Sequence, residues 1–254
     1  MHRKFWMISM GLCVVALAGA ARAQEVKPKA PMFSYVAQWQ VPRDKWADFE
    51  KASASTAGVL EKATADGTLM GYGHDEAEVH SSDGATHDNW WAASSMAGLL
   101  KVLAQVRTNA AVSSSAMSAA TKHWDDIFVS RYYNRKPGAY KDAYTRISFY
   151  KFKATAPDDA LDQLCQHLIV PAMEKLFADG TVLEYEVDTE AVHSDEPGGF
   201  ALVIQTPTPD GLDKVQAAIM GTGKEHPLAI AAFDTLTEGN AHRDYLLRGD
   251  GIYK

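Results

Sequence analysis

The chain repeats itself. Glu61-Lys62-Ala63-Thr64-Ala65-Asp66-Gly67-Thr68 recurs as Glu174-Lys175-Leu176-Phe177-Ala178-Asp179-Gly180-Thr181, 113 residues later. At the same offset Tyr72 meets Tyr185, Asp75 meets Asp188, and Val79-His80-Ser81 meets Val192-His193-Ser194. From Glu61 to Lys141, 23 of 81 pairs are identical without a gap. Such a period means two copies of one supersecondary unit, expected over residues 33–141 and 146–254 and joined by residues 142–146.

Each copy opens with an alternating run, Tyr35 to Val41 or Ile147 to Ala154, which predicts a strand. A helix follows. Its stripe is Trp46, Phe49, Thr56, Leu60 and Ala63 in copy one, and Leu161, Leu164, Leu168, Ala172 and Leu176 in copy two. Pro171 should kink or split the second helix. Asp66-Gly67 and Asp179-Gly180 end these helices. A long strand (Leu69 to His80, Val182 to His193), a third strand (Asn89 to Ser94, Phe200 to Thr206), a helical region and a last strand (Ile127 to Tyr133, Ala241 to Leu247) complete the order β-α-β-β-α-β. That is the order of the ferredoxin-like split unit.

The first residues have the parts of a secretory signal: basic His2, Arg3 and Lys4, an apolar run from Phe5 to Ala18, and Ala21-Arg22-Ala23 before a cleavage point at Gln24. An exported protein, periplasmic or extracellular, is expected once residues 1–23 are removed, with no membrane association afterwards. The formal charge of the whole chain is −7, and no Lys/Arg cluster stands out, so nucleic acid is not an expected partner. Cys165 would be the one cysteine left, which rules out an intrachain disulfide.

The opening run Arg146-Ile147-Ser148-Phe149-Tyr150-Lys151-Phe152-Lys153 within this element order resembles the dimeric α+β barrel superfamily. That superfamily includes stress-responsive barrel domains, cofactor-free monooxygenases of the antibiotic-biosynthesis type, and haem proteins such as chlorite dismutase. The resemblance implies an α+β fold of tandem ferredoxin-like repeats packed sheet-to-sheet, an intrachain version of that dimeric barrel. A monomer or a homodimer would both be compatible with it.

Alternation assigns the strand faces. Tyr35, Ala37, Trp39 and Val41 face the helices. Gln38 and Gln40, with Lys151 and Lys153 in copy two, would then point between the sheets, where polar groups need partners or a ligand. Tyr72 and Tyr185 share a strand face with the histidine ends of their strands, and copy one adds His74 and Glu76 there. Trp90 offers flat apolar surface for a ring. Asp75, Asp188, Glu184, Glu186 and Glu190 lie on the opposite face, which is expected to be wet because alternating carboxylates repel when buried.

No metal site is expected. His74 and His80 are six residues apart on one strand, roughly 20 Å at ~3.3 Å per residue, and His80 with His87 gives two ligands at most. His80 and His193 are read as bonding the turns after them, with proton handling as the alternative. No cofactor motif is complete: Gly221-Thr222-Gly223-Lys224 lacks the first glycine of a phosphate loop, and no Gly-x-Ser-x-Gly elbow occurs.

Two readings of function follow, and neither fixes whether the protein is an enzyme. One is an exported small-molecule-binding or interaction protein with a cavity between the repeats. The other, implied by the resemblance, is a cofactor-free monooxygenase-like enzyme for a small aromatic substrate, with haem binding as a remote third. Ligand contacts are expected from Gln38, Gln40, Tyr72, His74, Trp90, Lys151, Lys153 and Tyr185.

Overall fold

The computed structural model describes residues 26–82, 84–108, 118–192, 197–225 and 227–254. The expected signal (residues 1–23) and His193 lie outside them. None of the helices among the described residues is long and apolar enough to cross a membrane.

Strand β1 (Met32–Gln40) is followed by α1 (Trp46–Ala54), α2 (Ala57–Ala65), β2 (Gly71–Ala77), β3 (His87–Ala93), α3 (Met96–Thr108) and β4 (Lys122–Arg135). Then come β5 (Gly138–Lys151), α4 (Ala160–Leu164), a π-helical stretch (Cys165–Ile169), α5 (Val170–Ala178), β6 (Glu184–Glu190), β7 (Gly199–Thr206), α6 (Pro209–Glu225), α7 (Pro227–Leu236) and β8 (Arg243–Tyr253).

The expectation of two ferredoxin-like repeats packed sheet-to-sheet is corrected here. The strands form one closed antiparallel barrel in the order β1-β3-β2-β8-β5-β7-β6-β4. The halves meet edge to edge, β2 on β8 and β4 on β6, so no two sheets face one another across an interface. The physical reason is the edge itself: open strands leave N–H and C=O groups unpaired, and closure removes every edge at once. Residues 142–146, expected to join the copies, lie inside β5. The irregularity there is a register shift between Tyr140 and Ala143 against β8, with Asp142 at φ 52°.

The apolar core lies outside the barrel, in two clusters between strands and helices. Tyr35, Ala37 and Trp39 pack with Phe49, Leu60, Leu99 and Val102. Tyr185, Val187, Phe200 and Ile204 pack with Leu164, Cys165, Met173 and Val215. Burial pushes the Cys165 thiol up to about 12, which leaves it an inert packing group.

The single first helix of copy one is in fact two. Ser55 and Thr56 turn their hydroxyls back onto the Ala52 and Ser53 carbonyls, at 2.6 and 2.7 Å, and such back-bonding competes with the helix ladder. In copy two the π stretch precedes Pro171, and the Val170 N–H reaches the Cys165 carbonyl. The wider turn absorbs the bond that proline cannot donate.

Candidate functional site

The inward strand faces are polar, which overturns the wet-face expectation. Asp75, Glu184, Glu186 and Asp188 are each at most 8 % exposed. Arg135, its side chain 7 % exposed, sits 3.9 Å from both Glu184 and Glu186 and lies over the Tyr253 ring. Burial pushes Glu186 and Asp188 up to about 7, against a hydrogen bond donated by Ser130 to Asp188. Burial and the neighbouring Glu186 hold Glu184 well above its usual range. Asp75 and Asp88 are opposite one another on β2 and β3. Burial raises both, Asp75 to about 6, and Trp90 Nε1 donates to Asp75 at 2.9 Å. Like charges this close cannot all ionise, so protons are retained in the lumen.

Two cavities flank this acidic centre. The first, about 570 Å³, is a groove outside the barrel between α1–α2 and strands β2, β3, β5 and β8. Phe49, Leu60, Tyr72 and Ile252 give it apolar walls, and Glu50, Ser53, His74, Glu76, His87 and Asn89 give it polar ones. Asn89 donates to Ser53 Oγ at 2.8 Å, tying β3 to α1. Burial, with Glu61 nearby, pushes the Tyr72 phenol up, so it remains a donor. The second cavity, about 340 Å³, is at one mouth of the lumen, where Val36, Gln38, Trp124, Phe149, Lys151 and Tyr245 meet.

The eight nominated residues therefore do not converge. Tyr72 and His74 share the groove, and Gln38 and Lys151 share the lumen mouth. Gln38 is already engaged, donating to Asp126 at 2.5 Å. Trp90 stacks on Tyr253 with ring centres 5.5 Å apart, deep in the lumen. Gln40 donates to the Ser82 carbonyl, and Lys153 donates to the Asp234 and Thr235 carbonyls after turning away from the lumen. Tyr185 packs on the helix side and donates to Glu174 at 2.5 Å.

No known protein family and no curated protein matches this sequence. Solved structures do match the fold. A Lactobacillus acidophilus NCFM protein provisionally described as a monooxygenase superposes with TM-score 0.59 at 10 % identity, over 87 % of this chain and 94 % of that one. A Fusobacterium nucleatum protein described in the same way gives 0.61 at 12 % identity, over 89 % and 95 %. An anthrone oxidase-like protein gives 0.53 at 14 %, over 87 % and 92 %. These neighbours are dimeric α+β barrel proteins. At such identities the likeness is one of fold.

The sequence reading nominated none of Glu50, Glu76 and His87 as ligand contacts. His80 and His87, which could supply two ligands at most, both meet the Trp46 ring edge-on, with centres 5.4 and 4.9 Å away. The signal that was there is the hairpin register, which sets Glu76 directly across from His87.

Proposed function

We propose that the chain is an exported enzyme that oxidises a small aromatic molecule in the groove between α1–α2 and the barrel. The observation that carries this reading is the groove itself, of ligand size and walled by Phe49, Leu60, Tyr72 and Ile252 beside His74. The descriptions of the fold neighbours as monooxygenases and as anthrone oxidase-like support it as analogy. In the reaction a ring CH2 becomes C=O. One atom of dioxygen enters the product and the other leaves as water with both hydrogens, so the substrate is the only reductant. His74 takes the first proton from carbon, and the Tyr72 phenol donates to the oxygen where charge develops.

The test is oxygen uptake by the mature protein with an anthrone-type substrate, with 18O from labelled dioxygen appearing in the product. His74→Ala should lower the rate by about a hundredfold. Uptake no faster than in buffer, or a variant as fast as the parent, ends the proposal. A second reading, a non-enzymatic small-molecule binder, is favoured by the separate cavity at the lumen mouth. Ligand affinity lost on Lys151→Ala and kept on His74→Ala would support it.

A further inference from the structure

The groove contains one group whose geometry the oxidation does not use. His87 is 6 % exposed, and its Nε2 is buried with no hydrogen-bond partner. Its other ring nitrogen is occupied by Thr86. The Thr86 hydroxyl accepts the Val41 N–H at 2.9 Å and lies 3.2 Å from the Trp39 carbonyl. Its remaining contact is His87 Nδ1 at 3.0 Å, so of the two ring nitrogens Nε2 is the one without a partner.

A buried polar atom without a partner is costly, and here it has company. Ligand atoms of Glu50, Glu76 and His87 all lie within 4.8 Å of one another. Glu76 comes from β2 directly across from His87 on β3, and Glu50 reaches in from α1. We infer that Glu50, Glu76 and His87 form a binding site for a divalent first-row transition metal such as Zn2+, Mn2+ or Fe2+.

The chemistry agrees on three counts. One neutral imidazole and two carboxylates are the donor set these ions take. With Nε2 on a metal, Nδ1 carries the proton and donates to the Thr86 oxygen, the outer contact that orients a ligating ring. Metal–ligand bonds of ~2.0–2.2 Å require the three atoms to draw together by roughly 1 Å, which the long side chains of exposed Glu50 and half-buried Glu76 can do. Copy two shows what the same register looks like without a site: Thr189 faces Phe200 where Glu76 faces His87. Three protein ligands leave positions open to the groove, where an oxygen donor on a bound molecule could enter.

The site shares the groove with the proposed oxidation but does not depend on it, so direct binding is the test. Untagged, chelator-treated protein is titrated with Zn2+ and with Mn2+ by calorimetry, and its melting temperature is read with and without metal. One equivalent should bind and raise the melting temperature. Glu50→Gln/Glu76→Gln should weaken binding at least about tenfold and lose the rise, while melting like the parent without metal. No stoichiometric binding by the parent, or equal affinity in the double variant, overturns the site. Metal binding without oxygen uptake would end only the oxidation, and uptake without metal binding would end only this inference.

Discussion

Gly249 is bare because nothing fits beside it. A Cβ there would collide with the His74 carbonyl oxygen and with the Asp75 side chain. Both are pinned, one in the β2–β8 ladder and the other by Trp90. Gly249→Ala is expected to destabilise the protein by about 3 kcal/mol, as overpacking in a closed interior does. Gly221, on α6, has open space around its Cβ direction, so Gly221→Ala should be neutral or stabilise by up to about 1 kcal/mol. Urea unfolding of both variants checks the pair, and equal effects would contradict the account. At this scale alternation was legible: it placed Tyr35 and Trp39 toward helices and Gln38 away from them. What alternation cannot tell is whether a face looks into water or into a lumen. Asp75 and Glu186 were misplaced for that reason, since the strands that cover them are far away in sequence.

Helix α2 ends on a cation from the far end of the chain. Lys254 Nζ donates to the Thr64 and Ala65 carbonyls, at 2.6 and 3.0 Å, the last groups of a helix with no intrahelical partners. Lys254→Ala should cost about 0.5–1 kcal/mol, measured by denaturant titration at low salt, and the difference should shrink as salt is added. A loss unaffected by salt would mean that packing, and not charge, is what the lysine supplies. Elements were readable where local chemistry decides them, as Gly67 and Gly180 show by ending their helices at φ 82° and 86°. They were less readable where hydroxyls compete with the ladder, at Ser55 and Thr56. Residues 142–146, which the sequence marks only as the join between copies, run as strand within β5 because their pairing partners lie in β8.

For the molecule as a whole, retained protons set the dependence on pH. Glu186 and Asp188 titrate near 7 when folded, against about 4 in an unfolded chain. Between those values the folded form holds more protons than the unfolded, so stability falls as pH rises. It is full on the acid side and is lost through pH 7. Below about 4 the surface carboxylates held down by partners, Asp125 and Asp244 among them, act in the opposite sense. Melting temperature should therefore be higher at pH 5 than at pH 8, by an amount corresponding to a few kcal/mol at about 1.4 per unit of displacement. Glu186→Gln/Asp188→Asn should flatten the profile; a parent equally stable at both pH values would refute the buried-proton account. The closing strand has its own consequence for biosynthesis. Residues 243–253 are the stave between β2 and β5, so a nascent chain lacking them has two raw edges and cannot seal its cylinder. Until that stave is in place, β2 and β5 each keep a row of unpaired backbone groups.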